Sequence, residues 1–286
     1  MFAITGITGQ VGGVVARSLL AAGKDVRAVV RNAAKGAAWA AQGCAVALAE
    51  MDDAAALTRA FAGCAGVFIL LPPIFDPDAE LSAARAVARA VRLAIETARP
   101  QKVVCLSTIG AQATEFNLLT QLQWLERELG APALPLTFLR PAWYMENAAW
   151  DIAPARQGVV SSFLQPLDQP LPMVATADVG RVAAELLQDS WSGHRVVELE
   201  GPARISPNQV AATLGRLLGR EVHIEAVPRD TWEALFKSQG MRNPLPRMRM
   251  LDGFNQGWIK FEGDARAVRK GEIPLEAVLR GLIERP

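Results

Sequence analysis

The stretch Thr5-Gly6-Ile7-Thr8-Gly9-Gln10-Val11-Gly12 decides the fold of this chain. It follows a short apolar run, Met1-Phe2-Ala3-Ile4-Thr5, which predicts a strand, and it leads into residues 11–22, where apolar side chains recur at helical spacing. A strand, a glycine-rich turn and a helix in this order are typical of the phosphate-binding unit of a dinucleotide-binding fold. The sequence therefore predicts an α/β protein whose first turn holds nucleotide phosphates at a helix N-terminus.

Each glycine of this stretch has an expected role. Gly6 permits a tight turn, Gly9 lets the backbone approach a pyrophosphate, and Gly12 lets the helix pack close to the strand. A purely structural turn is the alternative, but a single glycine would suffice for it. The predicted cofactor-binding residues of this turn are Gly6, Thr8, Gly9, Gln10, Val11 and Gly12.

The composition limits the classes to which the protein can belong. With 286 residues, 51% of them hydrophobic, the chain can form one large α/β domain with a smaller appended lobe. Lys and Arg (30) nearly balance Asp and Glu (29), so no basic surface for nucleic acid or for an anionic membrane is indicated. No apolar run reaches the roughly 18 residues of a membrane span, and the chain opens on a strand rather than on a signal peptide. We expect a cytoplasmic protein that binds neither nucleic acid nor membrane.

Cysteine and histidine are too few and too scattered to suggest a metal site. Cys44, Cys64 and Cys105 lie in apolar stretches and are expected to be small buried side chains rather than disulfide partners. His194 and His223 are isolated from them and from each other. We therefore predict no bound metal.

The first half of the chain alternates regularly between strand and helix. Strands are predicted at 25–30, 45–48, 66–71, 102–107 and 136–140, with helices at 11–22, 33–42, 53–62, 78–98 and 117–129. This alternation predicts a doubly wound parallel sheet with right-handed crossovers, an NAD(P)-binding Rossmann fold.

Prolines interrupt this rhythm after residue 141. We predict a helix from 176 to 187 with Asp178 in its first turn, a strand at 196–200, a helix capped by Ser206 and running to 218, and a strand at 221–227. The expected domains are a dinucleotide-binding domain, 1–150, and a smaller C-terminal α/β substrate lobe, 151–286, interleaved with the first.

The end of the second predicted strand indicates which coenzyme binds. An acidic residue there accepts the ribose hydroxyls of NAD, whereas this chain has Arg31 at that place and Lys35 shortly after it. Both cations suit a 2′-phosphate, and the sequence shows no carboxylate beside them, so NADP(H) is preferred over NAD(H). A solvated surface pair is the alternative interpretation.

Two further loops are expected to line the cofactor. Asp52 and Asp53 follow the third strand, where the adenine should lie, although Asp53 is also a good N-cap for the next helix. Leu71, Pro72 and Pro73 end the fourth strand and should form a stiff loop beside the pyrophosphate and the nicotinamide ribose.

With these features together, the chain resembles the NmrA-like branch of the atypical short-chain dehydrogenases/reductases over nearly its whole length. The spacing G-x-x-G-x-x-G is that of short-chain dehydrogenases. Three further segments carry the likeness: Val30-Arg31-Asn32-Ala33-Ala34-Lys35, Leu139-Arg140-Pro141-Ala142-Trp143-Tyr144-Met145-Glu146-Asn147 and Glu200-Gly201-Pro202. The Trp-Tyr-x-Glu-Asn form is especially similar to bacterial NAD(P)H:quinone oxidoreductases of this group, which implies hydride transfer to a small quinone-like or other electrophilic acceptor.

One departure from the wider superfamily concerns proton transfer. Its dehydrogenases use Tyr-x-x-x-Lys, in which the lysine lowers the tyrosine pKa. Here the single tyrosine is Tyr144, position 148 is alanine, and the helix at 117–129 contains neither residue type. Members of the quinone-reductase group often carry His or Lys four residues before the glutamate matched by Glu126, and that place is Leu122. Alcohol oxidation by this route is therefore not expected.

Quinone reduction requires mainly proximity and orientation, because water can supply the proton. Trp143, Tyr144 and Asn147 could line an aromatic, hydrogen-bonding floor for a planar acceptor, and Ser107 at the end of the fifth strand could face the nicotinamide or the substrate. The predicted catalytic residues are Tyr144, Asn147 and Ser107. Ordinary packing of the two aromatic residues and a turn role for Ser107 are the alternatives.

The absence of an acid/base pair also leaves a second function open. NmrA-like regulators bind NADP(H) without turnover and report its redox state to a protein partner, although no charged tail or patch here indicates such a partner. A reductase of alkene-like aromatic substrates would need a lysine in the helix at 117–129, which has none. The sequence is compatible with either a monomer or a homodimer.

Overall fold

This computed structural model describes residues 1–284. The strands are β1 (Phe2–Ile4), β2 (Val26–Val30), β3 (Ala45–Leu48), β4 (Gly66–Leu70), β5 (Val103–Leu106), β6 (Leu136–Pro141), β7 (Trp143–Tyr144), β8 (Val159–Ser162), β9 (Met173–Val174), β10 (His194–Glu200), β11 (His223–Ala226) and β12 (Arg269–Lys270). The α-helices are α1 (Gln10–Ala21), α2 (Ala33–Ala40), α3 (Ala54–Phe61), α4 (Ser82–Ala98), α5 (Thr120–Leu129), α6 (Ile152–Gln157), α7 (Thr176–Gln188), α8 (Pro207–Leu218), α9 (Trp232–Ser238), α10 (Leu245–Gln256) and α11 (Leu275–Ile283). Two 3₁₀ helices, Met145–Asp151 and Arg229–Thr231, complete the set.

An eight-stranded parallel sheet confirms the predicted fold class. Its order is β12-β10-β6-β5-β4-β1-β2-β3, with β1 hydrogen-bonded to β2 on one side and to β4 on the other. The strand order reverses between β1 and β4. In open α/β sheets the crevice beyond the carboxyl ends of strands at such a reversal is where ligands bind. The glycine-rich turn after β1 therefore lies at the crevice where proteins of this fold bind their ligands.

The chain forms two compact units that interleave in sequence. The first unit comprises residues 1–111, 119–140 and 179–197, and the second comprises 112–118, 141–178 and 198–286. Residues 112–118, 141–150 and 179–197 thus fall in a different unit from the one that a single boundary at residue 150 would give them. The division into a dinucleotide-binding domain and a substrate lobe stays a prediction.

The core of the first unit follows from the alternation of side chains along its strands. Because successive side chains of a strand point to opposite faces, every second residue of β4, β5 and β6 enters one apolar layer. That layer packs against α3, α4 and α5 through Leu57, Phe61, Val67, Ile69, Val91, Ile95, Val103, Cys105, Leu125, Leu136 and Phe138, nearly all of them fully buried. Full burial of each large side chain stabilises the fold by roughly 1.5–3 kcal/mol. Burial and the nearby Glu126 carboxylate raise the pKa of the Cys105 thiol, which therefore stays protonated and packs as an apolar group.

The opposite face of the sheet is covered by α1 and by the part of α7 in the same unit. Gly180 makes their close approach possible, because a Cβ there would lie 2.5 Å from the Val14 Cβ and 2.9 Å from the Val11 carbonyl oxygen. Leu187 also reaches the sheet, at Gly66. Any larger residue at position 180 would force the two helices apart.

The second unit contains two small parallel sheets, β11-β8 and β7-β9. Five α-helices lie wholly among its described residues, namely α6, α8, α9, α10 and α11. Ser206 caps α8 as predicted, and the structure adds a capping box: the Ser206 hydroxyl accepts the Gln209 N–H, and the Gln209 side chain accepts the Ser206 N–H at 2.8 Å. Asp178 has a role that its helix position did not indicate. Its fully buried carboxylate accepts the N–H groups of Glu272 and Ile273, both at 2.9 Å.

Two predicted helix starts were wrong for local reasons. The helix predicted from 78 begins at Ser82, because the Asp78 carboxylate accepts the N–H groups of Glu80 and Ser82 and forms a turn instead. The helix predicted from 117 begins at Thr120, because the Asn117 side chain donates to the Glu115 carbonyl and holds the preceding loop. Within residues 1–284, no helix combines the length and the apolar character needed to cross a membrane.

Candidate functional site

The glycine-rich turn after β1 is shaped by Gly6 and by a hydrogen bond across it. Gly6 has φ +60°, a conformation that residues with a Cβ rarely adopt. The Gly9 N–H donates to the Gly6 carbonyl oxygen at 2.9 Å and closes the turn. Thr5 anchors the turn to β4, since its buried hydroxyl donates to the Phe68 carbonyl oxygen at 3.0 Å and accepts the Leu70 N–H at 2.9 Å. Three hydrogen bonds thus hold the turn in this conformation and tie it to β4.

Gly12 and Gly9 differ in what surrounds them. A Cβ on Gly12 would collide with the Gly6 carbonyl group, so only glycine lets α1 start this close to the turn. A Cβ on Gly9 would touch only the Gly6 carbonyl oxygen, at 3.3 Å, and Gly9 itself is solvent-exposed. The backbone at Gly9 is therefore open to solvent, in a place that a side chain would occupy. That arrangement fits the prediction that a ligand approaches the backbone at Gly9.

The first turn of α1 carries the positive end of the helix dipole without compensation from its own side chains. In the described chain Gly9 is the N-cap, no side chain caps this helix, and no acidic residue lies in its first turn. The backbone N–H groups of such a turn attract an anion, because the aligned peptide dipoles place roughly half a positive charge there. Thr8 and Gln10 are exposed beside it, whereas Val11 is buried and contributes its backbone. The residues present therefore fit a pyrophosphate.

Arg31 and Lys35 follow β2 at the same edge of the sheet. Both are exposed, and Lys35 lies in the first turn of α2, where the helix dipole disfavours a cation unless an anion is nearby. Asn32 caps that helix by accepting the Ala34 N–H at 2.8 Å. The premise that no carboxylate lies near Arg31 was wrong, because Glu50 Oε2 is 4.0 Å from Arg31 Nε. Both residues of this pair are largely exposed, so the contact is weak and an incoming phosphate can displace it.

The loops after β3 and β4 lie at the carboxyl ends of their strands, as predicted. Asp53 caps α3 by accepting the Ala56 N–H at 2.9 Å, while Asp52 is exposed and remains the candidate for the adenine edge. After β4, Leu71 is buried, Pro72 is half-buried and Pro73 is exposed. The exposed side of this loop is therefore formed by the two prolines.

Ser107, at the end of β5, belongs to a buried network that the sequence did not reveal. Its hydroxyl donates to Glu126 Oε1 at 2.5 Å, and the same carboxylate is held by Arg140, with Nε 2.8 Å from Oε1 and Nη2 2.7 Å from Oε2. The Arg140 and Glu126 side chains are only 6% and 12% exposed. The hydroxyl hydrogen of Ser107 is thus committed to Glu126. Toward a ligand, Ser107 offers its oxygen lone pairs as an acceptor.

The sequence placed Glu126 on a predicted helix and Arg140 in the segment that resembles the family, but it did not predict that the two residues pair. A charged residue at the end of a buried strand needs a partner, because an unpaired buried charge is costly. That requirement was a usable signal for Arg140. Its partner lies 14 residues away on α5, a distance at which sequence periodicity carries no information.

Tyr144 and Asn147 lie in the second unit, on β7 and in the 3₁₀ helix after it. Tyr144 is half-buried, and within the described part of the chain its hydroxyl makes no hydrogen bond. Burial and the Glu146 carboxylate raise the pKa of Tyr144, so this phenol stays protonated at neutral pH. Asn147 is exposed. Their catalytic role, like that of Ser107, remains a prediction.

The side chains that flank Tyr144 are held by their neighbours in the same unit. The Trp143 ring meets the Phe254 ring edge-on, with centroids 5.1 Å apart and planes at 87°. Glu146 Oε1 accepts both the Thr176 N–H, at 2.9 Å, and the Thr176 hydroxyl, at 2.6 Å. Trp143 is therefore fixed against α10, and Glu146 caps the start of α7.

A cavity of about 190 Å³ in the second unit is lined by Glu146, Ala175, Ala177, Ile273, Ala277 and Val278 among others. None of the predicted cofactor or catalytic residues lines it. Over the range 1–284, no group of three or more His, Cys, Asp or Glu side chains is arranged to hold a metal ion. The candidate site therefore consists of the turn, loops and buried network described above.

Comparison with known proteins gives this geometry its family context. Residues 1–257 match the model of the NmrA-like family. This chain belongs to the NmrA-like family. Quinone oxidoreductase 2 of Escherichia coli strain K12 is 30% identical over 251 residues, covering 87% of this chain and 85% of that protein.

Other family members and structures extend the likeness. The crystal structure of an NADPH-dependent quinone oxidoreductase from E. coli, complexed with NADPH, superposes with a TM-score of 0.82 and 26% identity, covering 99% of both chains. The (4-alkanoyl-5-oxo-2,5-dihydrofuran-3-yl)methyl phosphate reductase of Streptomyces griseus is 31% identical over 226 residues, 79% of this chain and 76% of that protein. The predicted NmrA-like membership is confirmed.

Proposed function

We propose that this protein is an NADPH-dependent oxidoreductase that transfers hydride from the nicotinamide to a quinone-like acceptor. The observation that carries the proposal is the open, uncapped turn at Gly9, which fits a pyrophosphate, in a member of a family that includes a quinone oxidoreductase 30% identical to it. The substrate is a small molecule.

Two cations support NADP(H) over NAD(H). Arg31 and Lys35 follow the strand that is next to β1, where the adenosine ribose of a dinucleotide lies in this fold. Arg31 pairs with the 2′-phosphate in a charge-assisted contact, and Lys35 adds a second positive charge at the start of α2. The contact between Arg31 and Glu50 is 4.0 Å long and largely exposed, so it is weak enough for the 2′-phosphate to replace it. The E. coli quinone oxidoreductase in this comparison was crystallised with NADPH.

NADPH, when bound, supplies the hydride, and the acceptor takes up one further proton to become the hydroquinone. Ser107 cannot provide that proton while its hydrogen is held by Glu126, so Ser107 positions a donor group by accepting from it. Tyr144 keeps its proton at neutral pH and acts as a neutral hydrogen-bond donor to the acceptor oxygen, together with the Asn147 amide. The final proton comes from water. The chain thus contributes orientation and polarisation rather than acid/base catalysis.

The identity of the acceptor is proposed only as a chemical class. Family relatives are named for a quinone, for an unsaturated lactone phosphate and, in Xenophilus azovorans, for azo compounds, the last being 25% identical over 249 residues. These acceptors share an electron-poor conjugated system that accepts hydride. We extend that class to this protein, with quinones as its first members.

The test is oxidation of NADPH by the purified protein with menadione, followed at the nicotinamide absorbance band. Turnover above the background without protein is expected, with NADH a poorer donor. The matched control is Gly9→Val, whose branched Cβ occupies the surface on which the pyrophosphate would lie and which therefore should lose cofactor binding and turnover together. Tight NADPH binding without oxidation by any quinone would instead indicate a redox sensor.

A further inference from the structure

Arg247, in the first turn of α10, is a half-buried cation with no counter-ion in the described part of the chain. Its guanidinium lies over the Phe236 ring, 4.5 Å from the centroid, and its Nη1 is 3.8 Å from the Met241 sulfur. Among residues 1–284 no carboxylate forms an ion pair with it. An aromatic face and a thioether are weak partners for a guanidinium that has lost part of its hydration.

The neighbouring charges do not relieve this position. Asp252, the single acidic residue of α10, is committed to Arg229 by two hydrogen bonds of 2.6 and 2.7 Å. The first turn of α10 contains no acidic residue, so the helix dipole opposes the positive charge of Arg247 as well. Burial lowers the pKa of the Arg247 guanidinium, whereas pairing with Asp252 raises that of Arg229. Burial, the helix dipole and the lack of a carboxylate all disfavour the Arg247 charge, and an anion at this position would offset each of them.

The same face of α10 carries the contact to the predicted aromatic floor. Arg247, Leu251 and Phe254 are spaced i, i+4 and i+7, which places them along one side of the helix. Phe254 holds Trp143 in the edge-on contact described above. At 1.5 Å per residue the Cα atoms of residues 247 and 254 are about 10 Å apart along the helix axis. An acceptor whose ring lies near Trp143 can therefore reach the Arg247 guanidinium with an anionic group at the end of a short substituent.

We propose that Arg247 binds an anionic group carried by the acceptor, so that the preferred substrate is a conjugated, electron-poor ring with a carboxylate, sulfonate or phosphate substituent. This inference rests on the proposed function and narrows its substrate class. Arg249 is the matched reference, because it is on the same helix, two residues further on, and is solvent-exposed. An arginine on the exposed side should have no effect on acceptor choice.

The experiment compares a naphthoquinone bearing a propanoate side chain with its methyl ester, which has the same ring chemistry and no charge. With NADPH as donor, the wild type should show a lower KM for the acid than for the ester, by about 10-fold, the usual effect of a charge-assisted contact. Arg247→Met should remove that preference by raising the KM of the acid alone, while Arg249→Met should retain it. Because methionine fills the same apolar surroundings, Arg247→Met should also keep or raise the Tm.

Three outcomes would overturn the inference. One is an acid-to-ester preference that is the same in wild type and Arg247→Met. A second is a clear loss of Tm in Arg247→Met without a change of preference, which would make Arg247 a structural residue. A third is an equal loss of NADPH affinity in this variant, which would assign the anion to the cofactor phosphates instead.

A binding measurement separates this inference from the proposed function. If neither acceptor is reduced, the proposed function fails, and calorimetric titration of the acid and the ester into the protein with NADP⁺ still decides the role of Arg247. Tighter binding of the acid that is lost in Arg247→Met supports the inference. Equal binding of both compounds, or displacement of the acid by inorganic phosphate at similar concentration, refutes selective recognition of the acceptor.

Discussion

Replacing Arg140 by methionine should destabilise the protein far more than replacing an exposed arginine that makes an equally short ion pair. The Arg140–Glu126 pair is bidentate, at 2.7 and 2.8 Å, and both side chains are almost completely buried. Removing one partner of such a pair leaves the other charge uncompensated in a poorly solvated place, which costs roughly 3–5 kcal/mol. Arg216 forms a 2.8 Å pair with Glu276 that is half-exposed, so Arg216→Met should lower the free energy of unfolding by at most about 1 kcal/mol.

The double variant shows whether the cost comes from the unpaired charge. Arg140→Met combined with Glu126→Met removes both charges and leaves Ser107 without its acceptor. Replacing a buried pair by apolar residues of similar volume is often close to neutral, so we expect the double variant to recover part of the free energy of unfolding lost in Arg140→Met. The loss that remains reflects the Ser107 hydrogen bond, worth about 1.5–3 kcal/mol for a bond to a charged acceptor.

The assay is urea unfolding followed by circular dichroism. The dependence of the free energy of unfolding on urea is compared among the wild type, Arg140→Met, the double variant and Arg216→Met. NADPH affinity and kcat are measured alongside, because freeing the Ser107 hydroxyl should alter kcat more than cofactor binding. A loss of less than about 1 kcal/mol in Arg140→Met, or a double variant no more stable than Arg140→Met alone, would show that an unpaired buried charge is not the cause.

Three further predictions concern cofactor choice, the turn and pH. Arg31→Asp should weaken NADPH binding by about 10-fold to 100-fold while NADH binding changes little, in calorimetric titrations; equal losses would show that Arg31 does not contact the 2′-phosphate. Gly12→Ala should lower both the Tm and the affinity for either coenzyme, because its Cβ collides with the Gly6 carbonyl; an unchanged Tm would contradict that packing. Burial raises the pKa of Asp151 from 3.8 to about 6, so the wild type loses stability as pH rises from about 4 through 6. Asp151→Asn should therefore exceed the wild type in stability by a clearly larger margin at pH 7.5 than at pH 4.5 in urea unfolding, and an equal difference at both pH values would be inconsistent with this cause.

Features determined by neighbouring residues were predictable from the sequence. The turn glycines Gly6 and Gly12 and the N-caps Asp53 and Ser206 all act within a few residues of themselves, and the structure places each as predicted. The alternation of strands and helices likewise predicted the parallel sheet, because burial on both faces leaves strands apolar throughout. These features depend on local backbone geometry and on side-chain periodicity.

Features that join distant segments were not predictable in this way. Glu50 reaches Arg31 because β2 and β3 are parallel and end at the same edge, with Val30 paired to Leu48. Glu126 and Arg140 meet across a helix and a strand. Such contacts depend on strand register and on helix placement, which periodicity does not determine. Glu50 could have been found by asking which residues follow adjacent parallel strands.

The site residues divide in the same way. The cofactor residues of the first turn follow from the order of strand, glycines and helix, which is a local pattern. The roles proposed for Ser107 and Tyr144 depend instead on which groups hold or release a proton. For Ser107 that is decided by Glu126, and for Tyr144 by burial and by Glu146. Neither influence is visible in the residue types alone.

Hydride transfer from a cofactor bound at Gly9 can be measured in a single turnover, in which the protein is first loaded with NADPH and then mixed with menadione, alongside Gly9→Val. The nicotinamide absorbance should be lost in the wild type, with one hydroquinone formed per NADPH consumed, and Gly9→Val should show neither binding nor oxidation. Full retention of NADPH binding by Gly9→Val would refute the phosphate site, and a loaded wild type that leaves every quinone unreduced would refute the proposed activity.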